Sequence, residues 1–191
     1  MFVEIGGYDG IIGSNTYFLE KNLNWNGVVV ECNPELASKC RINRNCKICE
    51  KAIYKNSDEE VEFLVPSGEE IVGGKEQLGG IKNFLKKESL VVFNKCYKEN
   101  YTIKVKTISF NKLMEENELF EIDYLSLDIE GYELEVLKSI DFNKFFIKFM
   151  TVEFGNVRKY QQEIYNFLTS NNFRLHRNNK WDDEYINVSE L

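Results

Sequence analysis

The sequence predicts an α/β fold: an open, mostly parallel sheet with helices on both faces and an antiparallel hairpin at one edge. Three observations predict it. Near-continuous apolar runs such as GVVVE (27–31) and FMTVEF (149–154) alternate with longer amphipathic stretches, the pattern of strands buried on both faces between crossover helices. A glycine-rich turn, EIGGYDG (4–10), follows the first apolar run directly. Two short alternating segments, FRLHR and EYINV, close the chain with little between them, as an antiparallel pair at an edge would.

The elements follow in order. FVEI reads as the first strand, 14–22 as a helix capped by Ser14 or Asn15, and GVVVE as the second strand. Asn33 then caps a helix over 34–43 with Pro34 in its first turn, where the missing N–H costs nothing. CKICEKAIY (46–54) reads as a third strand, and VEFLV (61–65) as its hairpin partner across KNSDEE. From 66 to 100 the pattern breaks into a segment with Gly68, Gly73-Gly74 and Gly79-Gly80, holding one helical candidate at 82–93; it reads as an insertion, either a lid over a site or a mobile surface excursion. TIKVKTIS is a half-exposed strand and NKLMEENE a short helix. DYLSL is a buried strand running to Asp128, with a helix from Tyr132; 145–154 is a further strand and 157–171 an amphipathic helix. There is no internal repeat and no linker, so the expectation is a single domain over 1–191 with an insertion at about 66–100.

Composition narrows the function. With 191 residues, 43% hydrophobic and 14% aromatic, the chain can build one full core. A formal charge of −7, with lysines interleaved among acids, repels phosphate backbones and argues against nucleic acid. No apolar run approaches the ~20 residues that span a bilayer, and the start is not that of a signal peptide, so a cytoplasmic protein without a membrane partner is expected. The five cysteines, Cys32, Cys40, Cys46, Cys49 and Cys96, lie in or beside apolar stretches and read as reduced structural thiols. Cys46 and Cys49 have the spacing of half a zinc site, but no second pair follows and the lone histidine, His176, is far away.

In open sheets of this kind ligands bind beyond the carboxyl ends of the strands. Four acids stand at such ends: Glu4, Glu31, Asp128 and Glu153. Converging there, they favour a cationic or hydroxyl-rich ligand. The glycine loop allows two cofactor classes. A dinucleotide would bring a pyrophosphate that Glu4 opposes, whereas S-adenosylmethionine carries an ammonium and a sulfonium that Glu4 attracts. Glu31, at the end of the second strand, is placed to accept hydrogen bonds from both ribose hydroxyls of either cofactor.

FVEIGGYDGIIGSNTYFLEKNLNWNGVVVECNPE, then KAIY, then DYLSLDIEGYELEVLKSIDF resemble the FkbM-type family of S-adenosylmethionine-dependent methyltransferases, with the blocks in the family's order. The resemblance runs from Phe2 to about Phe173. It implies a class I methyltransferase (Rossmann-like) fold, with Glu4, Gly6, Tyr8 and Gly10 around the methionine moiety, Thr16 in the same cofactor set, Glu31 on the ribose and Asn33 nearby. It also implies methyl transfer to a hydroxyl, often of a sugar, glycan or other small molecule. The N-terminal helices that many class I enzymes fold over the cofactor are missing, so the expectation is an open site, or a cover supplied by the 66–100 insertion or by a second subunit of a homo-oligomer.

An acceptor hydroxyl must lose its proton as the methyl group arrives. Asp128 is the first candidate for that base, or for holding the methionine ammonium; Glu130, Glu133 and Glu153 are the others. Asp128 with Glu153 is also a candidate magnesium pair, since hard cations take oxygen ligands. Glu133 has the plainer reading of a residue favouring a helix N-terminus. Trp25 reads as packing at the far end of the sheet; Trp181 reads first as a loop residue near the C-terminus, with a place at the acceptor mouth as the lesser alternative. The competing readings are a noncatalytic binding module on the same fold and a nicotinamide-dependent oxidoreductase.

Overall fold

The computed structural model describes residues 1–70, 79–85, 97–155 and 157–189. The chain opens with β1 (Phe2–Ile5), α1 (Tyr17–Leu23), β2 (Gly27–Val30), α2 (Pro34–Asn43) and β3 (Lys47–Cys49). It continues through β4 (Ala52–Ile53), β5 (Glu60–Glu70), β6 (Gly80–Ile81), β7 (Tyr97–Ile108) and α3 (Phe110–Glu116). It closes with β8 (Glu121–Leu127), α4 (Glu133–Ser139), β9 (Phe146–Glu153), α5 (Arg158–Thr169), β10 (Phe173–Asn178) and β11 (Asp182–Asn187).

Seven strands form the main sheet in the order β10-β11-β9-β8-β1-β2-β3. β1, β2, β3, β8 and β9 are parallel, and β11 runs antiparallel to both β9 and β10. The predicted open, mostly parallel sheet with an antiparallel edge hairpin is therefore what the chain builds. The chain leaves β1 toward β2 and β3, then returns on β1's other side as β8, so the order reverses between β1 and β8. That reversal opens a crevice at the carboxyl ends of those strands.

Alternation along the strands assigns the two faces. Val3, Ile5, Val28, Val30, Leu125 and Leu127 join a core with Leu113 of α3, Val136 of α4 and Ile164 of α5. Phe2, Val29 and Tyr124 point the other way, onto Cys40 of α2 and Leu19 of α1. Helices thus cover both faces. Trp25 packs in this second cluster beside Phe2, at the amino end of β1, as expected.

Three expectations are corrected. CKICEKAIY is not one strand: it breaks at Glu50-Lys51 into β3, which pairs with β2, and β4, which pairs parallel with the end of β7. VEFLV, within β5, pairs antiparallel with β7 instead of with that segment, because both strands alternate over a long shared register from Glu60↔Lys106 to Ser67↔Glu99. The second sheet, β4-β7-β5-β6, thus carries the predicted insertion, whose ends are strand rather than loop. The helical candidate at 82–93 begins instead with a turn after β6, held by Phe84 and Leu85 N–H donating to the Ile81 carbonyl; the rest lies outside the described residues. Among the described helices none is long and apolar enough to cross a membrane.

Candidate functional site

A cleft of about 320 Å³ opens at the carboxyl ends of β1, β2 and β8. That volume is in the range of small-ligand sites. The turns after those three strands line one side, through Gly6, Tyr8, Glu31, Asn33, Asp128 and Glu130; the second sheet lines another, through Phe63, Val65, Ile81 and Tyr101.

The glycine turn is tied to its neighbours. Gly6 and Gly7 N–H both donate to the Val30 carbonyl, at 3.0 and 3.1 Å. Gly6 has φ +94°, and a Cβ there would sit 1.8 Å from the Asp128 carbonyl oxygen. Only glycine fits between the ends of β1 and β8. Tyr8 follows at φ +48°, a left-handed conformation that bulky residues avoid. Its N–H donates to Glu31 Oε2 at 2.9 Å, while Asn33 N–H donates to Glu31 Oε1 at 2.8 Å. Glu31, 8% exposed, is thus fixed at the cleft with one backbone donor on each oxygen. Burial pushes its carboxyl up to about 7, against the opposing pull of the Asn33 and Tyr8 N–H groups. Asn33 spends its own side chain on the α2 cap, where Oδ1 accepts from Glu35 N–H at 3.0 Å.

Glu4 behaves differently from the carboxylate expected at the loop mouth. It lies within β1 on the face under α1 and α2, 2% exposed. Its oxygens accept from Ser14 Oγ (2.9 Å), Asn15 N–H (2.8 Å), Thr16 Oγ1 (2.7 Å) and Arg44 Nη1 (3.1 Å). Arg44 also binds Glu20 through Nε at 2.7 Å and the Gly10 carbonyl through Nη1. Burial alone would raise the Glu20 carboxyl, but Asn45 N–H and Arg44 hold it near 2. Glu4, Gly10 and Thr16 are therefore parts of a buried knot that anchors the glycine turn to α2, and none of them lines the cleft. Arg44 was missed from sequence; the one signal for it was that Glu4 and Glu20, once buried, need a cation.

The turn after β8 brings the other acids together. Asp128 N–H donates to the Ile5 carbonyl at 3.0 Å, continuing the β1–β8 ladder. Glu130 sits at φ +61°. Carboxyl oxygens of Asp128, Glu130 and Glu153 lie within 4.8 Å of one another. Glu133 is not in that group. Fully buried, its Oε1 accepts from Ile129 N–H (3.1 Å) and Gly131 N–H (2.9 Å), and its Oε2 from Tyr160 Oη (2.8 Å). It braces the turn from beneath; the plain helix-start reading had missed this.

The remaining candidates fall elsewhere. The His176 ring packs against Phe149, with centroids 6.4 Å apart, on the edge strand β10. Trp181 is half-exposed beyond the end of β9, where its carbonyl accepts from Phe154 N–H, and it is not part of the cleft lining. Cys32, Cys40, Cys46 and Cys49 are free thiols; burial pushes Cys40 and Cys46 up to about 12. Among the described residues no cysteine joins a metal-ligand group; Cys96 lies outside them.

Residues 4–175 match the family model described as "Methyltransferase FkbM domain". No curated protein matches the sequence. A solved methyltransferase from Pyrococcus furiosus is 11% identical, with 97% of this chain and 73% of that one covered at a TM-score of 0.44, an overlap too loose to bear on the chemistry.

Proposed function

The chain belongs to the FkbM methyltransferase domain family, and from that premise we propose that it moves a methyl group from S-adenosylmethionine to a hydroxyl of a sugar, glycan or other small molecule. The observation that carries this is Glu31, a buried carboxylate at the end of β2, held by two backbone donors and lining the cleft. A vicinal diol donates well to such a carboxylate, and each donated bond favours its ionised form. The close-packed Gly6 backbone and the strained Tyr8 turn complete a cradle into which no side chain projects from position 6.

S-adenosylmethionine supplies a sulfonium-activated methyl group. The chain's own contribution is placement and proton removal. Glu31 orients the nucleoside by its hydroxyls, leaving the methyl end toward β8. Asp128, at the exposed lip of that strand, takes the proton of the acceptor hydroxyl as the oxygen attacks, with Glu130 and Glu153 beside it. Holding the reacting pair in line is worth up to roughly 7–11 kcal/mol in favourable cases. Glu4 no longer bears on the cofactor class, because Arg44 neutralises it inside the protein. The family and the cleft support the reading without it.

Calorimetric titration with S-adenosylhomocysteine tests the cofactor. Micromolar binding that weakens at least about tenfold in Glu31→Gln, with the melting temperature little changed, is the expected result; a shift in melting temperature with NADH alone would transfer the site to a nicotinamide cofactor. Binding without turnover over a broad acceptor panel would favour a noncatalytic module. A magnesium role rests on the mutual approach of Asp128, Glu130 and Glu153. Turnover that survives EDTA would leave those acids to proton transfer alone.

A further inference from the structure

Two different parts of the molecule hold the acids of the cleft. Asp128 belongs to the core: its N–H donates to the Ile5 carbonyl at 3.0 Å, and its own carbonyl packs on Gly6. Glu130 has left that ladder. It sits at φ +61° and Gly131 follows at φ +130°, and a side chain adopts such a backbone only where its surroundings impose it. Those surroundings are Glu133 beneath the turn and the inserted ribbon beside it.

The ribbon's contact with the turn is close. β6 is tied to β5 through the pairs Phe63↔Ile81 and Leu64↔Gly80, and Lys82 N–H donates to the Glu62 carbonyl at 2.9 Å. β5 in turn shares a long register with β7, so β6 is the edge of a braced sheet. A Cβ on Gly80 would come 3.4 Å from the Glu130 Cβ, which puts the backbone of β6 against that acid. Phe84, in the turn after β6, packs on Tyr132 with ring centroids 4.4 Å apart. Tyr132 stacks on Tyr54 at 5.0 Å and 15°, and Tyr54 meets Phe84 at 6.2 Å, so the three rings form one cluster.

Tyr132 ends the acid turn and stands at the N-cap of α4. Residues favoured at that position bond the first N–H groups of the helix through a short polar side chain. Tyr132 makes no such bond, and its residue is 2% exposed within the ring cluster. Ring packing therefore fixes where the turn ends and the helix begins.

We infer that Phe84 is a positioning residue: through Tyr132 the inserted ribbon sets the turn that carries Glu130, and so brings that acid to Asp128 and Glu153. The cleft then has two supports, the core strands for Gly6, Glu31 and Asp128 and the ribbon for Glu130. The consequence for methyl transfer rests on the function proposed above, whereas the positioning rests on these contacts alone.

Amide exchange followed by NMR on the whole protein tests the positioning. In Phe84→Ala, at a position 37% exposed and so tolerant of truncation, exchange at Ile129 and Gly131 is expected to quicken about tenfold or more. Gly7, whose N–H rests on the Val30 carbonyl, is expected to exchange as before. Phe84→Tyr keeps the ring and is expected to restore the parent rates. Unchanged exchange at Ile129 and Gly131, an equal increase at Gly7, or failure of Phe84→Tyr to restore the rates overturns the inference. If Phe84→Ala does not fold, Phe84→Leu is read in its place against the same outcomes. S-adenosylhomocysteine affinity, by calorimetry, is expected to stay within about twofold in Phe84→Ala; a loss as large as that of Glu31→Gln overturns the inference by giving the ring to the cofactor. In methyl transfer to a panel of methyl glycosides, kcat is expected to fall about tenfold or more at an unchanged KM for S-adenosylmethionine, and a kcat equal to the parent's overturns it. If S-adenosylhomocysteine does not bind, or the parent methylates none of the glycosides, that failure belongs to the proposed function and the exchange rates alone decide.

Discussion

Gly6 and Asp128 pack backbone to backbone, so that a Cβ on Gly6 would stand 1.8 Å from the Asp128 carbonyl oxygen. The same contact that shapes the proposed cofactor cradle sets the position of the proposed base. Gly6→Ala adds a left-handed penalty of about 1–2 kcal/mol to a clash that backbone must relieve. We expect the melting temperature to fall by roughly 5 °C or more and S-adenosylhomocysteine binding to disappear, as read by calorimetry. An unchanged melting temperature would mean that the two strand ends are not in contact.

The Arg44 knot predicts a large stability effect far from any chemistry. Arg44→Met leaves the Glu4 and Glu20 carboxylates buried without their cation, and breaking such a pair costs about 3–5 kcal/mol. Urea unfolding should show it as a lower midpoint at an unchanged slope. Adding Glu4→Gln to Arg44→Met should recover part of the loss, because it removes one of the stranded charges. A single variant as stable as the parent would place Arg44 in solvent.

Glu31 couples the cleft to pH. Its carboxyl is raised from 4.5 to about 7, chiefly by burial, so between those values the folded state holds a proton that the unfolded chain has released. Stability therefore falls as pH rises from about 4.5 to 7 and is flat, as far as Glu31 is concerned, above that. Glu31→Gln should flatten that slope in unfolding measured from pH 5 to 8, whatever its offset. Ligand hydroxyls favour the ionised form, so S-adenosylhomocysteine affinity should rise through pH 7 and level off beyond it. Affinity that falls over this range would remove Glu31 from the ligand.

Glu133 and Tyr160 predict a local effect. Tyr160 Oη accepts from Leu134 N–H at 3.0 Å and donates to Glu133, and its own ionisation is pushed up by burial and by the Glu133 charge. Tyr160→Phe removes both bonds, at a cost of about 1–3 kcal/mol. Hydrogen exchange should quicken at Ile129 and Gly131, whose N–H groups rest on Glu133. If exchange at these two amides is unaffected, the brace beneath the turn does not depend on the tyrosine.

The sequence was most legible where a local pattern has one physical solution. Apolar runs placed β1, β2, β8 and β9, and the Asn33-Pro34 pair marked the start of α2 because both residues satisfy helix-end geometry unaided. Glu31 and Asp128 were legible as strand-end acids lining a crevice. Glu4 was misjudged by one position of register: inside β1, its side chain points to the helix-covered face, and period-two alternation gives opposite environments to neighbours. The pairing of β5 with β7 was hidden because the two segments are joined through residues with no clear periodicity.

By itself the sequence determined the order of strands and helices, the glycine turn, the acids at the strand ends and the family, since each is written in contiguous residues. Only the tertiary structure decided which acids line the cleft and which face Arg44, that Glu133 braces the turn it follows, and that the inserted ribbon turns apolar side chains to the cleft. Those facts depend on side chains far apart in sequence meeting in space, as Glu4 and Arg44, 40 positions apart, do in a desolvated one. There the partner, and not the residue type, decides what a charge can do.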